Sequence, residues 1–193
     1  MSKECKDLHD YVRNLKRYAF PFDKNEIYKN GVYILFEKNE SGHNGDRIVR
    51  IGSHTGNDNL VKRLEEHFLK ENKDRSIFRK NIGRALLNKN SDSYLDIWGI
   101  DLTSKKARTE YQPFIKKDYQ ELIEKQVSDY IRDNFTFSVI EVLDKEERIS
   151  LEKRLIEIVS SCNECYPSNN WLGKSSPVDK IRFSGLWQTQ YVK

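Results

Sequence analysis

The chain has 193 residues, of which 37% are hydrophobic, 33% charged and 11% aromatic, and its net charge is +4. The aromatic content argues against disorder, because a disordered chain has little apolar surface to bury, and no apolar run approaches the ~20 residues that span a bilayer. The N-terminus is too polar for a secretory signal. We therefore expect a cytoplasmic protein without a membrane segment, a single domain over residues 1–193, and a mild preference for polyanions.

The first third of the chain predicts a helix followed by a β-hairpin. A helix is expected over residues 7–20, ending before Pro21 because proline disfavours the helical conformation in the residue before it. Gly31–Glu37 is apolar on both faces, which is typical of a central strand. The polar segment Ser41–Asp46 contains two glycines and predicts the hairpin loop. Arg47–Ser53 is the expected return strand.

The remaining chain predicts mainly helices and one further strand. Leu60–Leu69 and Glu146–Ser161 carry apolar residues at helical spacing. Phe135–Val142 is rich in β-forming residues and predicts a third strand. The pattern predicts an α+β fold, with a small three-stranded mixed or antiparallel sheet flanked by helices. Other expectations are helices over 76–87 and 118–132, a strand or a helix within 92–103, and mostly loop over 166–193.

The three cysteines predict free thiols. An odd number of cysteines in an intracellular chain is typical of reduced residues. Cys162 and Cys165 form a C-x-x-C pair, but a structural zinc site needs a second pair of ligands. Cys5 is far away in the sequence and no histidine lies near the pair. Ordinary thiols are therefore expected rather than a zinc site.

Three polar residues border the apolar faces of predicted helices. Arg63 and His67 are four residues apart and share a helix face, where an arginine suits a phosphate and a histidine can exchange a proton near neutral pH. Glu152 also borders the apolar face of its own predicted helix, and it could hold one divalent metal ion. Each also has a plain interpretation as a charged residue at a solvated helix edge.

Residues 70–89 hold a cluster of basic side chains close to an aromatic one, Phe78. Such a cluster favours contact with the phosphates of a nucleic acid, although runs of charge usually face water. The candidate phosphate contacts are Lys73, Arg75, Arg79, Lys80 and Arg84.

Five short motifs resemble, in order, those of the GIY-YIG nuclease superfamily. They are Gly31-Val32-Tyr33, Arg50-Ile51-Gly52, LVKRLEEHF, LEKRLI and YPSNN. In that family the first two motifs form a β-hairpin, a helix with an arginine follows, and a later helix carries a metal-binding glutamate. The resemblance covers about residues 31–170, the expected core, with the helix 7–20 and the tail 171–193 as extensions. The pairing of an arginine and a histidine on the first helix is similar to that in restriction endonucleases of the superfamily.

The resemblance implies roles for four of the candidate residues. Tyr33 would be the general base or would position the attacking water, and His67 would orient or share the proton. Arg63 would stabilise charge developing on the phosphate. Glu152 would be the ligand of Mg²⁺ or Mn²⁺.

Two further positions follow from the same resemblance. Asn170 matches the family's terminal asparagine, with Asn169 as the alternative. Arg50 occupies the position of the second motif's tyrosine, and an arginine cannot serve as a base. Strand alternation predicts that Arg50 shares a face with Tyr33, where Gly52 would leave room for the substrate backbone. Arg50 could be the cation that a phenol needs to act as phenolate near neutral pH, or it could mark a site that has lost activity.

The resemblance implies a metal-dependent endonuclease that hydrolyses the DNA backbone, of restriction or related DNA-processing type. A restriction enzyme would act on double-stranded DNA as a homodimer, because two-fold protein symmetry mirrors a palindromic site. One alternative is a nucleic-acid-binding module without catalysis, which is favoured by the arginine at position 50 in place of the motif's tyrosine. Another is a structural protein in which the tyrosine and arginines only pack. Trp187 is expected in the core, with a DNA contact as the alternative.

Overall fold

The structure, a computed structural model that describes residues 2–193, is built on a four-stranded antiparallel sheet. The strands are β1 (Tyr18–Ala19), β2 (Gly31–Gly42), β3 (Gly45–Gly52) and β4 (Phe135–Glu141), in the order β1-β4-β2-β3. Among the described residues, no helix has the length and apolar character needed to cross a membrane. The helices are α1 (Ser2–Arg13), α2 (Leu60–Phe68), α3 (Ile77–Lys89), α4 (Leu95–Gly99), α5 (Lys105–Tyr111), α6 (Lys117–Asn134), α7 (Lys145–Ser160) and α8 (Asp179–Ser184).

Strand β2 divides the hydrophobic core into two halves. Tyr33 and Leu35 face one half, which α2, α3 and α6 cover. Val32, Ile34 and Phe36 face the other half, which α1 and α7 cover. Successive side chains of a strand point to opposite faces, so a strand that is apolar on both faces needs packing on both sides. The prediction that this strand is central is confirmed by its place between β4 and β3.

The hairpin between β2 and β3 turns more tightly than the sequence suggested. Gly42 pairs with Gly45 across the turn, and only His43 and Asn44 connect them. Both connecting residues have positive φ, 48° and 62°, which is the conformation of the tight turns that join twisted strands. The hairpin turn lies inside the loop predicted over Ser41–Asp46, but that loop was too long, because its other residues continue the ladder.

The sheet also contains a strand that the sequence did not indicate. Tyr18 and Ala19 pair with Phe137 and Thr136 of β4, although they belong to the segment predicted as a helix over 7–20. The N-terminal helix instead ends at Arg13. A strand of two residues is too short to show a period, and only its distant partner defines it. The prediction of three strands was therefore one strand short.

The other predicted helices are confirmed, with ends shifted by one or two residues. The ambiguous segment 92–103 contains the short helix α4, whose Trp98 is fully buried. A side chain at Gly83 of α3 would collide with the Trp98 ring, since its Cβ would lie 2.3 Å from Cζ2. Gly83 therefore allows α3 and α4 to pack closely.

The C-terminal tail packs along the edge strand β3 and is not a loose extension. The backbone N–H of Trp187 donates to the Val49 carbonyl at 2.8 Å, and the Ile51 N–H donates to Gln188 Oε1 at 2.9 Å. Trp187 is fully buried and its indole N–H donates to Glu37 Oε2 at 2.7 Å. The prediction that Trp187 lies in the core is confirmed.

Candidate active site

A cavity of about 530 Å³ lies where the end of the hairpin meets α2, α7 and the C-terminal tail. Four of the residues predicted from the sequence line it: Tyr33, Arg50, Arg63 and Glu152. They come from four different elements, β2, β3, α2 and α7. The cavity therefore combines an acid–base group, two fixed cations and a carboxylate.

Tyr33 begins a chain of hydrogen bonds that leads from the cavity into the core. Its hydroxyl lies 2.8 Å from His67 Nε2, and His67 Nδ1 lies 2.7 Å from Ser76 Oγ. Ser76 is also the N-cap of α3, where its Oγ accepts from the Arg79 backbone N–H at 3.2 Å. With the phenol donating to Nε2 and Nδ1–H donating to Ser76, a neutral imidazole satisfies both contacts.

His67 is held in its neutral form. Burial is the largest cause that lowers its pKa well below the usual range, and the positive charges of Arg63, Arg50 and Arg79 lower the pKa further. The side chain is fully buried, so water cannot solvate an imidazolium there. A neutral imidazole next to a phenol can accept the phenolic proton.

The position of the Tyr33 ring depends on Gly52, which lies opposite it on β3. A Cβ at Gly52 would lie 2.3 Å from the Tyr33 hydroxyl oxygen and 2.5 Å from Cζ. No side chain fits at such distances. The expectation that this glycine makes room for the substrate backbone was wrong, because the phenol itself fills the space.

Arg63 is fixed at the cavity wall by two hydrogen bonds. Its Nη1 donates to Glu66 Oε2 and to the Arg75 carbonyl, each at 2.9 Å. Burial by itself would lower the pKa of Arg63, but Tyr33 and Glu66 together outweigh burial and raise the pKa. The guanidinium is therefore permanently charged and lies close to the phenol.

Arg50 is buried on the same face of the hairpin as Tyr33. The register pairs Leu35 with Arg50 and Phe36 with Ile48, so Val49 forms a β-bulge between them. Arg50 Nη1 donates to the Trp187 carbonyl at 2.5 Å, whereas its buried Nε has no hydrogen-bond partner among residues 2–193. The tail thus holds this cation beside the cavity.

Glu152 offers a carboxylate that fits a divalent metal ion. The Ser53 hydroxyl donates to its Oε2, and no hydrogen bond or ion pair within the described chain reaches its Oε1. Mg²⁺ is commonly held by one or two carboxylates together with substrate phosphates and water. One half-buried carboxylate at the wall of an open cavity suits that coordination.

The motifs and the cavity agree with a comparison at the level of protein families. The GIY-YIG domain family matches residues 3–193. The chain belongs to the GIY-YIG family. GIY-YIG domains are generally nucleases that hydrolyse phosphodiesters, and they typically depend on a divalent metal ion. Comparison with curated proteins and with solved structures gives no match.

The GIY-YIG match extends beyond the core expected at residues 31–170. It includes α1 and the whole tail, both of which pack against the sheet. The family match therefore includes the segments expected as extensions as well as the expected core.

Three of the five basic residues expected to contact DNA lie in the interior of this GIY-YIG protein. Lys73, Arg79 and Lys80 are at most 6% exposed. Asp74 pairs with both lysines, at 2.9 and 3.3 Å, and Glu124 pairs with Arg79 at 2.9 Å. A phosphate on DNA cannot reach them, so this expectation is corrected. Buried charges of this kind are retained only with partners, and the sequence did not indicate that these pairs are buried.

The side chains of the other two basic residues and of the asparagine do not line the cavity. Arg84 is half-buried and donates to Asn81 and the Gly99 carbonyl, and the exposed Arg75 lines a separate cavity beside α6. Asn170 is exposed in the turn after Ser168 and is not among the residues that line the active-site cavity. The catalytic role implied for Asn170 is therefore not supported by its position.

Several residues of the cavity were missed in the sequence. Ser53 and His54 follow the second motif directly, so their position was a usable signal. His54 is buried. Burial is the largest cause that lowers its pKa, and the positive charge of Arg148 lowers the pKa further. Its Nδ1 has no hydrogen-bond partner in the described chain. Gln190 and Tyr191 reach the cavity from the tail, and no local pattern indicated them.

Proposed function

We propose that this GIY-YIG protein is a metal-dependent endonuclease that hydrolyses phosphodiester bonds of double-stranded DNA, of restriction or related DNA-defence type. The observation that carries the proposal is the arrangement of the Tyr33 hydroxyl, the Arg63 guanidinium and the Glu152 carboxylate around one cavity. The neutral His67 behind the phenol supplies the proton acceptor. Metal-dependent hydrolysis of a phosphodiester uses three functions: activation of water, stabilisation of negative charge and a site for the metal ion.

Tyr33 and His67 activate the water together. As the water attacks phosphorus, its proton moves to the Tyr33 oxygen while the phenolic proton moves to His67 Nε2. The contact at 2.8 Å is short enough for direct transfer. Three arginines oppose a lasting positive charge on His67. After the attack Nε2 therefore returns its proton to the Tyr33 oxygen, while the phenol releases the proton taken from the water to solvent in the cavity. The imidazole is then neutral for the next turnover.

The cations of the cavity bind and stabilise the phosphate. Arg63 is held rigidly by Glu66 and the Arg75 carbonyl, so its charge needs no reorganisation as negative charge develops. Removing one such donor typically costs on the order of 10²–10³ in rate, and we expect a loss of that size for Arg63→Ala in single turnover. The exposed Lys62 adds a further positive charge at the opening.

Glu152, oriented by Ser53, would hold Mg²⁺ or Mn²⁺. When bound, such an ion neutralises charge on the phosphate and on the leaving oxygen. The role of the chain is to present one carboxylate oxygen toward the place where the phosphate binds.

The test is cleavage of supercoiled plasmid DNA with Mg²⁺, with Mn²⁺ and with a chelator. We expect cleavage with either ion and none with the chelator. Glu152→Gln should abolish cleavage and leave DNA binding in a gel-shift assay largely intact. Glu146→Gln is the matched control, because Glu146 is an exposed carboxylate on the same helix. Cleavage by Glu152→Gln at the wild-type rate would contradict the proposal.

A binding module without catalysis is the second candidate, favoured by one observation. Arg50 replaces the tyrosine of the second motif, and part of its guanidinium is used to hold the Trp187 carbonyl. A wild-type protein that binds DNA but cuts neither DNA nor RNA with either metal ion would support this candidate. Sedimentation with and without a duplex tests the homodimer that a restriction-type enzyme would form.

A further inference from the structure

Four side chains that commonly bind metals meet on the side of the sheet covered by α1 and α7. Cys5 and His9 lie on α1, His43 lies in the hairpin turn, and Cys165 lies in the loop after α7. Their ligand atoms all lie within 4.8 Å of one another. We propose that Cys5, His9, His43 and Cys165 bind one Zn²⁺ ion in a structural site that is separate from the active-site cavity.

Two of the separations between ligand atoms are close to those of tetrahedral zinc. Zinc bonds of ~2.3 Å to sulfur and ~2.0–2.1 Å to nitrogen place two sulfurs roughly 3.8 Å apart, and a sulfur and a nitrogen roughly 3.6 Å apart. Cys5 Sγ lies 3.8 Å from Cys165 Sγ, and Cys165 Sγ lies 3.9 Å from His9 Nε2. The Ile48 N–H also approaches His9 Nε2 at 3.3 Å, a long contact that a zinc bond would replace.

The two imidazoles are oriented as zinc ligands usually are. A ligating histidine commonly donates its other ring N–H to a carbonyl or a carboxylate. His9 Nδ1 lies 2.8 Å from the Cys5 carbonyl oxygen, which leaves Nε2 facing Cys165. In His43, Nδ1 is the ring nitrogen on the side of Glu164, 3.7 Å from its Oε2, and Nε2 lies on the side of the thiols, 3.4 Å from Cys162 Sγ.

The cluster is closed to solvent, as structural zinc sites are. Cys5 is 0%, His9 2% and Cys165 6% exposed, and the His43 side chain is 4% exposed. Collecting two thiols and two imidazoles away from water is unfavourable unless their polar atoms are bonded. One tetrahedral cation with two thiolate and two imidazole ligands satisfies all four groups.

The third cysteine provides a matched comparison. Cys162 Sγ lies 3.4 Å from His43 Nε2, but Cys162 is only half-buried and does not belong to the group of four. The C-x-x-C pair that suggests a metal motif in the sequence therefore contributes only one of its two cysteines.

The site connects three segments that lie far apart in the sequence. It joins the N-terminal helix, the turn of the hairpin that carries Tyr33 and Arg50, and the loop after the helix that carries Glu152. Metal binding that occurs only in the folded state stabilises that state. We therefore expect zinc to hold these segments together without taking part in the cleavage step.

The experiment measures the metal content of protein produced without a histidine tag. Elemental analysis and native mass spectrometry should give one zinc per chain for the wild type. Replacement of zinc by Co²⁺ should give the intense visible absorption of a tetrahedral site and the charge-transfer bands of thiolate ligands. Removal of zinc by a strong chelator should lower the melting temperature.

Variants then decide which thiols bind. Cys5→Ser and Cys165→Ser should lose the zinc and the thiolate bands, whereas Cys162→Ser should retain one equivalent. If the first two variants do not fold, the cobalt spectra of the wild type and Cys162→Ser decide, since both must show two-thiolate tetrahedral coordination. The proposal is overturned by wild-type protein that takes up no zinc on reconstitution, by a Cys5–Cys165 disulfide in non-reducing mass spectrometry, or by loss of zinc in Cys162→Ser.

Discussion

Gly52→Ala should inactivate the enzyme by moving Tyr33. The new Cβ would lie 2.3 Å from the phenolic oxygen, whereas ordinary contact begins at 3.4 Å, so the ring must shift by about 1 Å. The hydrogen bond of 2.8 Å to His67 cannot survive that shift. A misplacement of about 1 Å typically costs on the order of 10² in rate, and overpacking costs about 1–3 kcal/mol of unfolding free energy.

The assay is single-turnover cleavage of a DNA duplex with saturating enzyme, combined with urea unfolding. Gly99→Ala is the control, because its Cβ would have only Arg84 Nη2 nearby, at 3.9 Å. That variant should cleave at the wild-type rate.

A double-mutant cycle tests the mechanism of the effect. If Gly52→Ala acts through the phenol, it should add little to the loss already caused by Tyr33→Phe, because residues that act as a unit are not additive. Full multiplication of the two losses would refute the reasoning. So would wild-type cleavage by folded Gly52→Ala protein, since it would show that the position of the phenol is not needed.

Three other predictions concern the charges around the site. Arg50→Leu should move the rising limb of the pH–rate profile to higher pH, because Arg50 lowers the pKa of the proton acceptor His67, and Arg50→Lys should cause a smaller shift. An unshifted profile for Arg50→Leu would show that Arg50 does not act on the proton acceptor. Arg79→Ala should lower the unfolding free energy measured in urea by about 3–5 kcal/mol, because it leaves Glu124 buried without its partner, and the salt dependence of DNA binding should stay the same. Wild-type stability of this variant, or a flatter salt dependence of its DNA binding, would argue against a purely structural role for Arg79. The wild-type unfolding free energy should fall as the pH drops below ~6.5, because the unfolded chain protonates His67 while the folded chain, with its lowered pKa, does not. In urea titrations, His67→Gln should reduce this slope of unfolding free energy against pH by up to ~1.4 kcal/mol per pH unit, and equal slopes for the variant and the wild type would contradict the prediction.

Local patterns in the sequence were sufficient for the longer elements and for the family. Helix periodicity located α2, α3, α6 and α7 within one or two residues, because each helix has one apolar face against the core. Strand β2 was recognisable as central because it is apolar on both faces. The ordered motifs around Tyr33, Arg63 and Glu152 indicated the GIY-YIG family that the comparison shows.

The tertiary structure alone decided which charges are free and which are buried. Lys73 and Arg79 look in the sequence like part of a basic surface, yet each is buried against a carboxylate, from Asp74 and Glu124 respectively. The position of Asp74 beside Lys73 was visible, but not that both lie in the interior. Burial depends on which helices pack together, and a charge pattern along one segment does not contain that information.

The same limit applies to groups assembled from distant parts of the chain. Gln190 joins the cavity in place of the expected Asn170 because the tail hydrogen-bonds along the edge of β3. Cys5 and Cys165 come within 3.8 Å only after α1 and the loop beyond α7 have packed on the sheet. Sequence spacing determines which residues share a face of one element. Contacts between elements depend on the packing of the whole chain. The sequence by itself therefore determined the longer elements and the family, while the tertiary structure decided the two-residue strand β1 and the membership of both sites.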